Sequence, residues 1–222
     1  MKAVIAHISA PVFNETFPHC WQAEILAERP LILPARHFVY PREAEEVERG
    51  ALELLVQPGL QPGLQPGLQP GLAVEQSQPK DSPSAQEFLA TCALGFHDPV
   101  VPTGLWSTPN PIEICAVSGG YAYVIDTTAP EHFTMINYRP VLELRPLPVQ
   151  GLLLFIGHHS ILAWGSNGQA WQSGRLSSEG LTITGIEGDV LHGLGWNLIT
   201  DKEAPFDLDL KTGKRQGIGN RE

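Results

Sequence analysis

The chain has 222 residues, of which 42 % are hydrophobic, and this apolar content argues against wholesale disorder because it can supply a packed core. The formal net charge is −10, and no run of Lys or Arg offsets it, so the composition disfavours a nucleic-acid partner. The length suits one large domain. We expect a single all-β domain over residues 1–222, for the reasons that follow.

The cysteines and the N-terminus indicate a compartment. Cys20, Cys92 and Cys115 form no Cys-x-x-Cys pair and are odd in number, which argues against a disulfide scaffold and against a zinc ribbon. His7 interrupts the apolar N-terminal residues, and no cleavage-site pattern follows, so no signal peptide is predicted. The longest apolar run, LLLFI at 152–156, is far shorter than the ~18 residues that span a bilayer. We therefore expect a cytoplasmic protein with no membrane partner.

A low-complexity insert interrupts the N-terminal part of the chain. Residues 57–72 are four copies of Gln-Pro-Gly-Leu, and a block rich in Pro, Gly, Gln and Ser continues to residue 84. Such a segment buries too little apolar surface to offset its ordering entropy, so 57–84 is predicted to be a flexible, disordered insert, with a partner-binding tract as the alternative. The apolar runs 50–56 and 87–96 flank it and are predicted to pair as a hairpin.

Helix signals are few. Residues 44–48, AEEVE, are predicted as a short helical turn before the insert, because Gly50 and the lack of a wide apolar stripe argue against a longer helix.

Short strands separated by turn residues fill the rest of the chain, and this pattern predicts an all-β domain. The predicted strands are residues 112–117, 121–126, 141–145, 151–156, 160–165, 169–176, 181–186, 190–196 and 206–211. Residues 151–156, GLLLFI, are continuously apolar, so this strand is predicted to be central and buried on both faces.

Three hairpins share one form, in which an apolar residue, a polar or glycine turn and a second apolar strand follow each other. They span 117–121, 156–160 and 186–190. The segments YAYVIDTTAPEHFTMI and FDLDLKTGKRQGI, in which a short alternating strand ends in Asp before a turn, resemble blade edges of quinoprotein-type β-propellers over residues 112–219. The chain also resembles an uncharacterised bacterial protein family, and the segments AVSGG and LAWG contribute to this resemblance.

The resemblance implies an irregular propeller-like fold and brings no activity with it. Propellers typically need four or more blades of about 40 residues, so a stacked meander of the same hairpins, or an irregular β-sandwich, is the alternative. An incomplete propeller would expose sheet edges that need a cap or a second subunit, which leaves a homodimer open.

Four polar residues of the second and third hairpins form a candidate metal site. His158 and His159 occupy one turn, while Asp189 lies in the next and His192 follows it. If the hairpins surround one axis, these side chains would share a rim, where imidazole and carboxylate groups suit zinc or iron. The alternative is that each is an ordinary turn or strand residue. No other cofactor than a divalent metal is suggested.

Trp164, Trp171 and Arg175 form a candidate binding surface. The two tryptophans flank the turn Ser-Asn-Gly, so their strands are predicted to pair, and packing of the rings would stabilise a hairpin by about 0.2–1 kcal/mol. If exposed, the rings could instead stack on a sugar or a peptide, with Arg175 covering Trp171.

Nucleotide-binding and hydrolase motifs are not found: the sequence contains no GxGxxG, no GxxxxGK[ST] and no GxSxG. Gly193 and Gly195 are interpreted as strand positions where small residues let backbones approach. Two functions remain. One is a non-catalytic β-rich binding or scaffold protein that presents turn-rich rims to a protein partner. The other is a metal-dependent enzyme built on the His/Asp cluster.

Overall fold

The computed structural model describes residues 11–42, 50–59 and 86–217. These residues contain 17 strands and no helix, which confirms the all-β prediction. The helical turn predicted at 44–48, and the insert beyond residue 59, lie outside the described residues.

The strands form four sheets. In chain order they are β1 (Val12–Asn14), β2 (Trp21–Leu26), β3 (His37–Tyr40), β4 (Ala51–Pro58), β5 (Phe88–Ala93), β6 (Gly104–Ser107), β7 (Glu113–Ser118), β8 (Tyr121–Asp126), β9 (Phe133–Met135), β10 (Glu143–Leu147), β11 (Leu152–Ile156), β12 (Ile161–Gly165), β13 (Gly168–Gln172), β14 (Leu181–Glu187), β15 (Val190–Asn197), β16 (Lys202–Asp209) and β17 (Arg215–Gln216). All nine strands predicted from residue 112 onward are confirmed, with ends that shift by up to four residues.

Apart from β1, the sheets follow each other along the chain. The first has the order β2-β4-β5-β3, and the second has β1-β6-β7-β8-β9. The third and fourth are plain antiparallel meanders, β10-β11-β12-β13 and β14-β15-β16-β17. Only two pairings of the described strands are parallel, β1 with β6 and β3 with β5. Local hairpins therefore build most of the second, third and fourth sheets, as expected for short strands joined by turn residues, whereas β2 and β3 of the first sheet pair with strands that do not follow them directly.

The four sheets stack face to face, and three core clusters join consecutive sheets. Trp21, Leu54 and Phe88 of the first sheet pack on Ile114 and Tyr123 of the second. Similar clusters join the second sheet to the third, and the third to the fourth. No core cluster of the described residues joins the first sheet to the fourth, so each of these two contributes one face to the cores.

Strand β11 shows why the middle of the stack is apolar throughout. Leu153 and Phe155 face the second sheet, whereas Leu152, Leu154 and Ile156 face the fourth. All five residues are buried, since alternate side chains of a strand point to opposite faces. The prediction of a central strand buried on both faces is confirmed.

The runs that flank the insert pair directly. Val56 lies opposite Phe88 in an antiparallel ladder between β4 and β5, so the predicted hairpin is confirmed. Its first strand is longer than predicted, because Gln57 and Pro58 continue β4 and pair with Gln22 and Trp21 of β2. The first Gln-Pro of the repeat is therefore part of the sheet, at a strand end where proline is tolerated.

The third hairpin is not the counterpart of the other two. Turns 117–121 and 156–160 connect the second and third strands of their meanders, whereas turn 186–190 connects the first and second strands of the fourth sheet. The Gln150 side-chain amide donates a 2.8 Å hydrogen bond to the Gly188 carbonyl. Turn 186–190 therefore lies beside the β10–β11 turn, at the opposite end of the third sheet from turn 156–160.

Candidate functional site

The structure does not bring together the four residues predicted as metal ligands. His158 and His159 are exposed in the β11–β12 turn, with ring centroids 6.0 Å apart. Asp189 lies at the other end of the stack, where its carboxylate contacts the Lys211 ammonium at 2.5 Å. Among the residues that the structure describes, no three His, Cys, Asp or Glu side chains are grouped so that they could hold a metal ion.

His192 has a different partner from the one expected. It lies opposite Asp207 on the outer face of the fourth sheet, and its Nδ1 is 2.6 Å from the Asp207 Oδ1. Its Nε2 is buried, 3.9 Å from a Glu187 carboxylate oxygen. The cross-strand carboxylate therefore orients this ring, and His192 faces away from the third sheet, which carries His158 and His159.

Trp164 and Trp171 are both buried and serve as packing residues. They lie on opposite faces of the third sheet, because a bulge between Ala163 and Trp164 places Trp171 opposite Ala163 rather than opposite Leu162, which shares a face with Trp164. The Trp164 indole packs toward the second sheet and donates to the Glu113 carboxylate at 2.8 Å. The Trp171 indole packs toward the fourth sheet and donates to the Leu210 carbonyl at 2.7 Å. Each indole N–H thus ties the third sheet to a neighbouring sheet.

Arg175 organises the connection between the third and fourth sheets. Its Nε donates to the Ser177 carbonyl at 3.0 Å, and its Nη2 donates to the Ser178 carbonyl at 3.2 Å. The guanidinium is therefore engaged with the backbone of its own loop. The three residues predicted as a stacking surface do not form one.

An exposed aliphatic segment stands out on the first sheet. Leu31, Ile32 and Leu33, which we call the aliphatic tip, have exposed fractions of 104 %, 89 % and 46 %. The connection that carries the tip, residues 27–36, begins after Leu26 of β2, which pairs with β4. It ends before His37 of β3, which pairs with β5. It therefore crosses the sheet, and its middle part presents three consecutive aliphatic side chains.

Prolines account for the shape of this segment. Pro30 and Pro34 bracket the tip, and each proline disfavours the helical region for the residue before it. Neither proline has an N–H to donate to a ladder. The pattern Pro-Leu-Ile-Leu-Pro was a usable sequence signal, since a three-residue aliphatic run between prolines is too short for a core strand.

A polar network holds the first end of the tip. Thr91 donates a 2.5 Å hydrogen bond to the Glu53 carboxylate, and both side chains are buried under the crossing connection. Arg29 Nε lies 3.7 Å from the same carboxylate, and Arg29 Nη2 lies 3.1 Å from His37 Nε2. His37 Nε2 also lies 2.9 Å from the Thr91 hydroxyl oxygen, whose own hydrogen is donated to Glu53, so the imidazole lies between Thr91 and Arg29.

Arg36 holds the second end. Its Nη1 donates to the Gln86 carbonyl at 2.7 Å, and its guanidinium lies 5.7 Å from the ring centroid of Phe38 and 5.8 Å from that of Phe88. The tip is therefore anchored on both sides by an arginine, one on a carboxylate and one on aromatic rings.

Protonation of His37 should weaken the first anchor. Burial, together with the Arg29 guanidinium, lowers the pKa of His37 below its ordinary value, although the Glu53 carboxylate acts in the opposite direction. The unfolded chain then binds more protons than the folded chain between the lowered pKa and the ordinary value of about 6.5. His37 therefore contributes stability above that window, and the contribution is lost as the pH falls through it.

We expect the midpoint of urea unfolding to fall more steeply between pH 7 and pH 5 in the wild type than in His37→Gln, whose amide does not titrate and can still hydrogen-bond to Thr91 or Arg29. The matched control is His158→Gln, because that imidazole is exposed in a turn. Equal pH slopes for the wild type and His37→Gln would contradict the role of His37.

No protein-family model matches the chain, and no curated protein matches it significantly. The structure, over the ranges it describes, has no helix of the length and apolar character needed to cross a membrane.

Proposed function

We propose that this chain is a non-catalytic β-rich binding protein and that it docks on a protein partner through the aliphatic tip. The observation that carries this proposal is the exposure of Leu31 and Ile32, which together with Leu33 form a contiguous aliphatic surface. Contiguous exposed apolar residues mark interaction sites more often than isolated ones do. Burying one such side chain contributes about 1.5–3 kcal/mol, so two of them supply a useful part of a binding free energy.

The anchors of the tip favour recognition. Arg29 and Arg36 hold its two ends, Pro30 and Pro34 have fixed φ angles, and Pro34 restricts Leu33. A segment that is ordered before it binds loses less conformational entropy on association. The tip therefore suits a partner that offers an apolar groove for an extended segment of about five residues, since flanking prolines favour extended backbone.

The partner is proposed to be a protein rather than a lipid surface. The chain carries a net charge of −10, which opposes approach to anionic membranes. A second copy of the chain is one such protein partner, because the first and fourth sheets each contribute only one face to the described cores.

The test compares the wild type with the double variant Leu31→Ser/Ile32→Ser. The matched control is Val149→Ser, which removes an aliphatic side chain of 91 % exposure from the β10–β11 turn. All three proteins should have the same melting temperature, because the changed side chains are exposed. We expect proteins captured from a lysate by the wild type and the control to be lost with the tip variant.

A captured protein counts only if it binds again in purified form, with a dissociation constant that rises at least about tenfold for the tip variant. Sedimentation equilibrium of the wild type and the tip variant shows whether the partner is a second copy. Unchanged capture by the tip variant, together with no tip-dependent self-association, would contradict the proposal.

A further inference from the structure

A cleft beside the second sheet, completed by Trp164 of the third sheet and by Arg42 just after β3, supports an inference that is independent of the tip. Its volume is about 410 Å³, within the range of roughly 300–1,000 Å³ that is usual for small-molecule sites. The charged and aromatic side chains of its lining are Arg42, Glu113, Asp126, Glu131, Phe133 and Trp164, and His132 lies among them. Charges of both signs and two aromatic rings therefore line one cavity.

The acidic side of the cleft is a pair of carboxylates. Glu113 of β7 lies directly opposite Asp126 of β8, and cross-strand neighbours of this kind share one face of the sheet. Burial raises the pKa of Glu113, although the Trp164 indole N–H donates to its carboxylate and opposes that effect. Two like charges opposite each other destabilise a sheet, and a cation bound between them would relieve this repulsion.

Asp126 keeps one oxygen for a ligand. Its Oδ1 accepts three hydrogen bonds, from the Thr128 N–H at 2.8 Å, the Thr128 hydroxyl at 2.7 Å and the Ala129 N–H at 3.2 Å. These bonds fix the carboxylate, and they leave Oδ2 without a partner among the described residues. A fixed carboxylate with one unoccupied oxygen is suited to accept from an ammonium group.

The basic side of the cleft is Arg42, with His132 beside it. The Arg42 Nη2 donates to the Glu131 carbonyl, which holds the guanidinium in place. A guanidinium has five N–H donors in a planar fork, and only one of them is engaged among the residues that the structure describes, so others can bind a carboxylate ligand. Phe133 and Trp164 supply apolar walls for a hydrocarbon linker between the two charged ends.

We propose that this cleft binds a small dipolar molecule of the amino-acid class, with its ammonium group at Glu113 and Asp126 and its carboxylate at Arg42. A simple amine would place a second cation in the cleft and bring no carboxylate to Arg42, and a simple acid would meet the carboxylates of Glu113, Asp126 and Glu131. A ligand that carries both charges satisfies both sides of the cleft. This site lies apart from the aliphatic tip, and either proposal can fail without the other.

The experiment titrates the full chain with ω-amino acids from glycine to 6-aminohexanoate, and with the amine and the acid of equal length. Isothermal calorimetry gives the affinities. The indole N–H resonance of Trp164, assigned with Trp164→Phe, reports binding in the cleft. We expect at least one ω-amino acid to bind about tenfold or more tightly than both its amine and its acid, and to shift this resonance.

Two variants assign the two ends of the ligand. Asp126→Asn keeps the oxygen that caps residues 128 and 129, and it should remove the preference for the amino acid over the acid. Arg42→Gln should remove the preference over the amine. Glu179→Gln, an exposed carboxylate in the loop between β13 and β14, is the charge-matched control and should change neither preference.

The inference is overturned if no ω-amino acid binds more tightly than both of its singly charged counterparts. It is equally overturned if binding leaves the Trp164 resonance in place, or if Asp126→Asn and Arg42→Gln behave like the control. The aliphatic tip is tested by a different measurement, the binding of a protein partner to the tip variant. The two proposals can therefore fail independently.

Discussion

Trp171→Ala should lower the free energy of unfolding by about 3–5 kcal/mol, the usual cost of removing a large aromatic side chain from a core. The Trp171 ring is 8 % exposed and lies in the core between the third and fourth sheets. Its indole also donates to the Leu210 carbonyl, which would lose its partner. For a chain of this length the melting temperature should fall by about 6–20 °C, as measured by calorimetry.

The turn after β16 packs on the Trp171 ring, so it limits how far the protein can close the cavity left by Trp171→Ala. A Cβ on Gly213 would lie 2.5 Å from the Trp171 ring, so the backbone of this turn packs directly on the indole. Trp196→Ala is the matched control, because Trp196 is only half-buried on the fourth sheet, and it should cost less. If Trp171→Ala left the melting temperature unchanged, Trp171 would be a surface residue available for stacking rather than a core residue.

Gly195→Ala should lower the free energy of unfolding by about 1–3 kcal/mol, the usual cost of inserting atoms into a close-packed core. A Cβ at this position would lie 2.4 Å from the Leu176 carbonyl oxygen. That backbone cannot move away freely, because the Leu176 N–H donates to the His159 carbonyl at 2.7 Å. The added methyl group would therefore strain the contact between the third and fourth sheets.

Gly185→Ala is the control for this prediction. It is also a glycine of the fourth sheet, it lies opposite His192, and a Cβ there would meet no atom within 4 Å. Removing the backbone freedom of a glycine in the unfolded chain should make this variant neutral or slightly more stable. Urea unfolding of both variants measures the difference, and equal stabilities would show that Gly195 is not at a close contact.

The strands after the insert could be predicted because their signals are local. LLLFI at 152–156 is uniformly apolar, and FDLDLK at 206–211 alternates, so each pattern is visible within a few residues. The prediction that Gly193 and Gly195 allow close approach is confirmed by the Phe206 ring and the Leu176 carbonyl that crowd them.

Other strands could not be predicted because their partners are distant. Strand β1 is paired in parallel with β6, and β3 with β5, so neither belongs to a local hairpin. Strand β2 pairs with β4 across the connection that carries the aliphatic tip. A three- or four-residue strand has little pattern of its own, and its long-range pairing decides its conformation.

The metal hypothesis depended on treating three similar turns as equivalent. Their residues have the same form, but turn 186–190 joins different strands of its meander from those joined by turn 156–160. Asp189 therefore lies at the far end of the stack from His159. The turns of a meander lie alternately at its two ends and have the same sequence pattern at both. The pattern therefore could not identify the end at which each turn lies.

The sequence by itself determined the strand-rich character of the chain, most of its hairpins and the buried centre of the third sheet, because these depend on residues that are neighbours along the chain. Only the tertiary structure decided which side chains meet. Stacking of the sheets buried Trp164 and Trp171, placed Arg42 in the same cleft as Glu113 and left the aliphatic tip exposed. Contacts between sheets join residues that are far apart in sequence, and no local pattern encodes them.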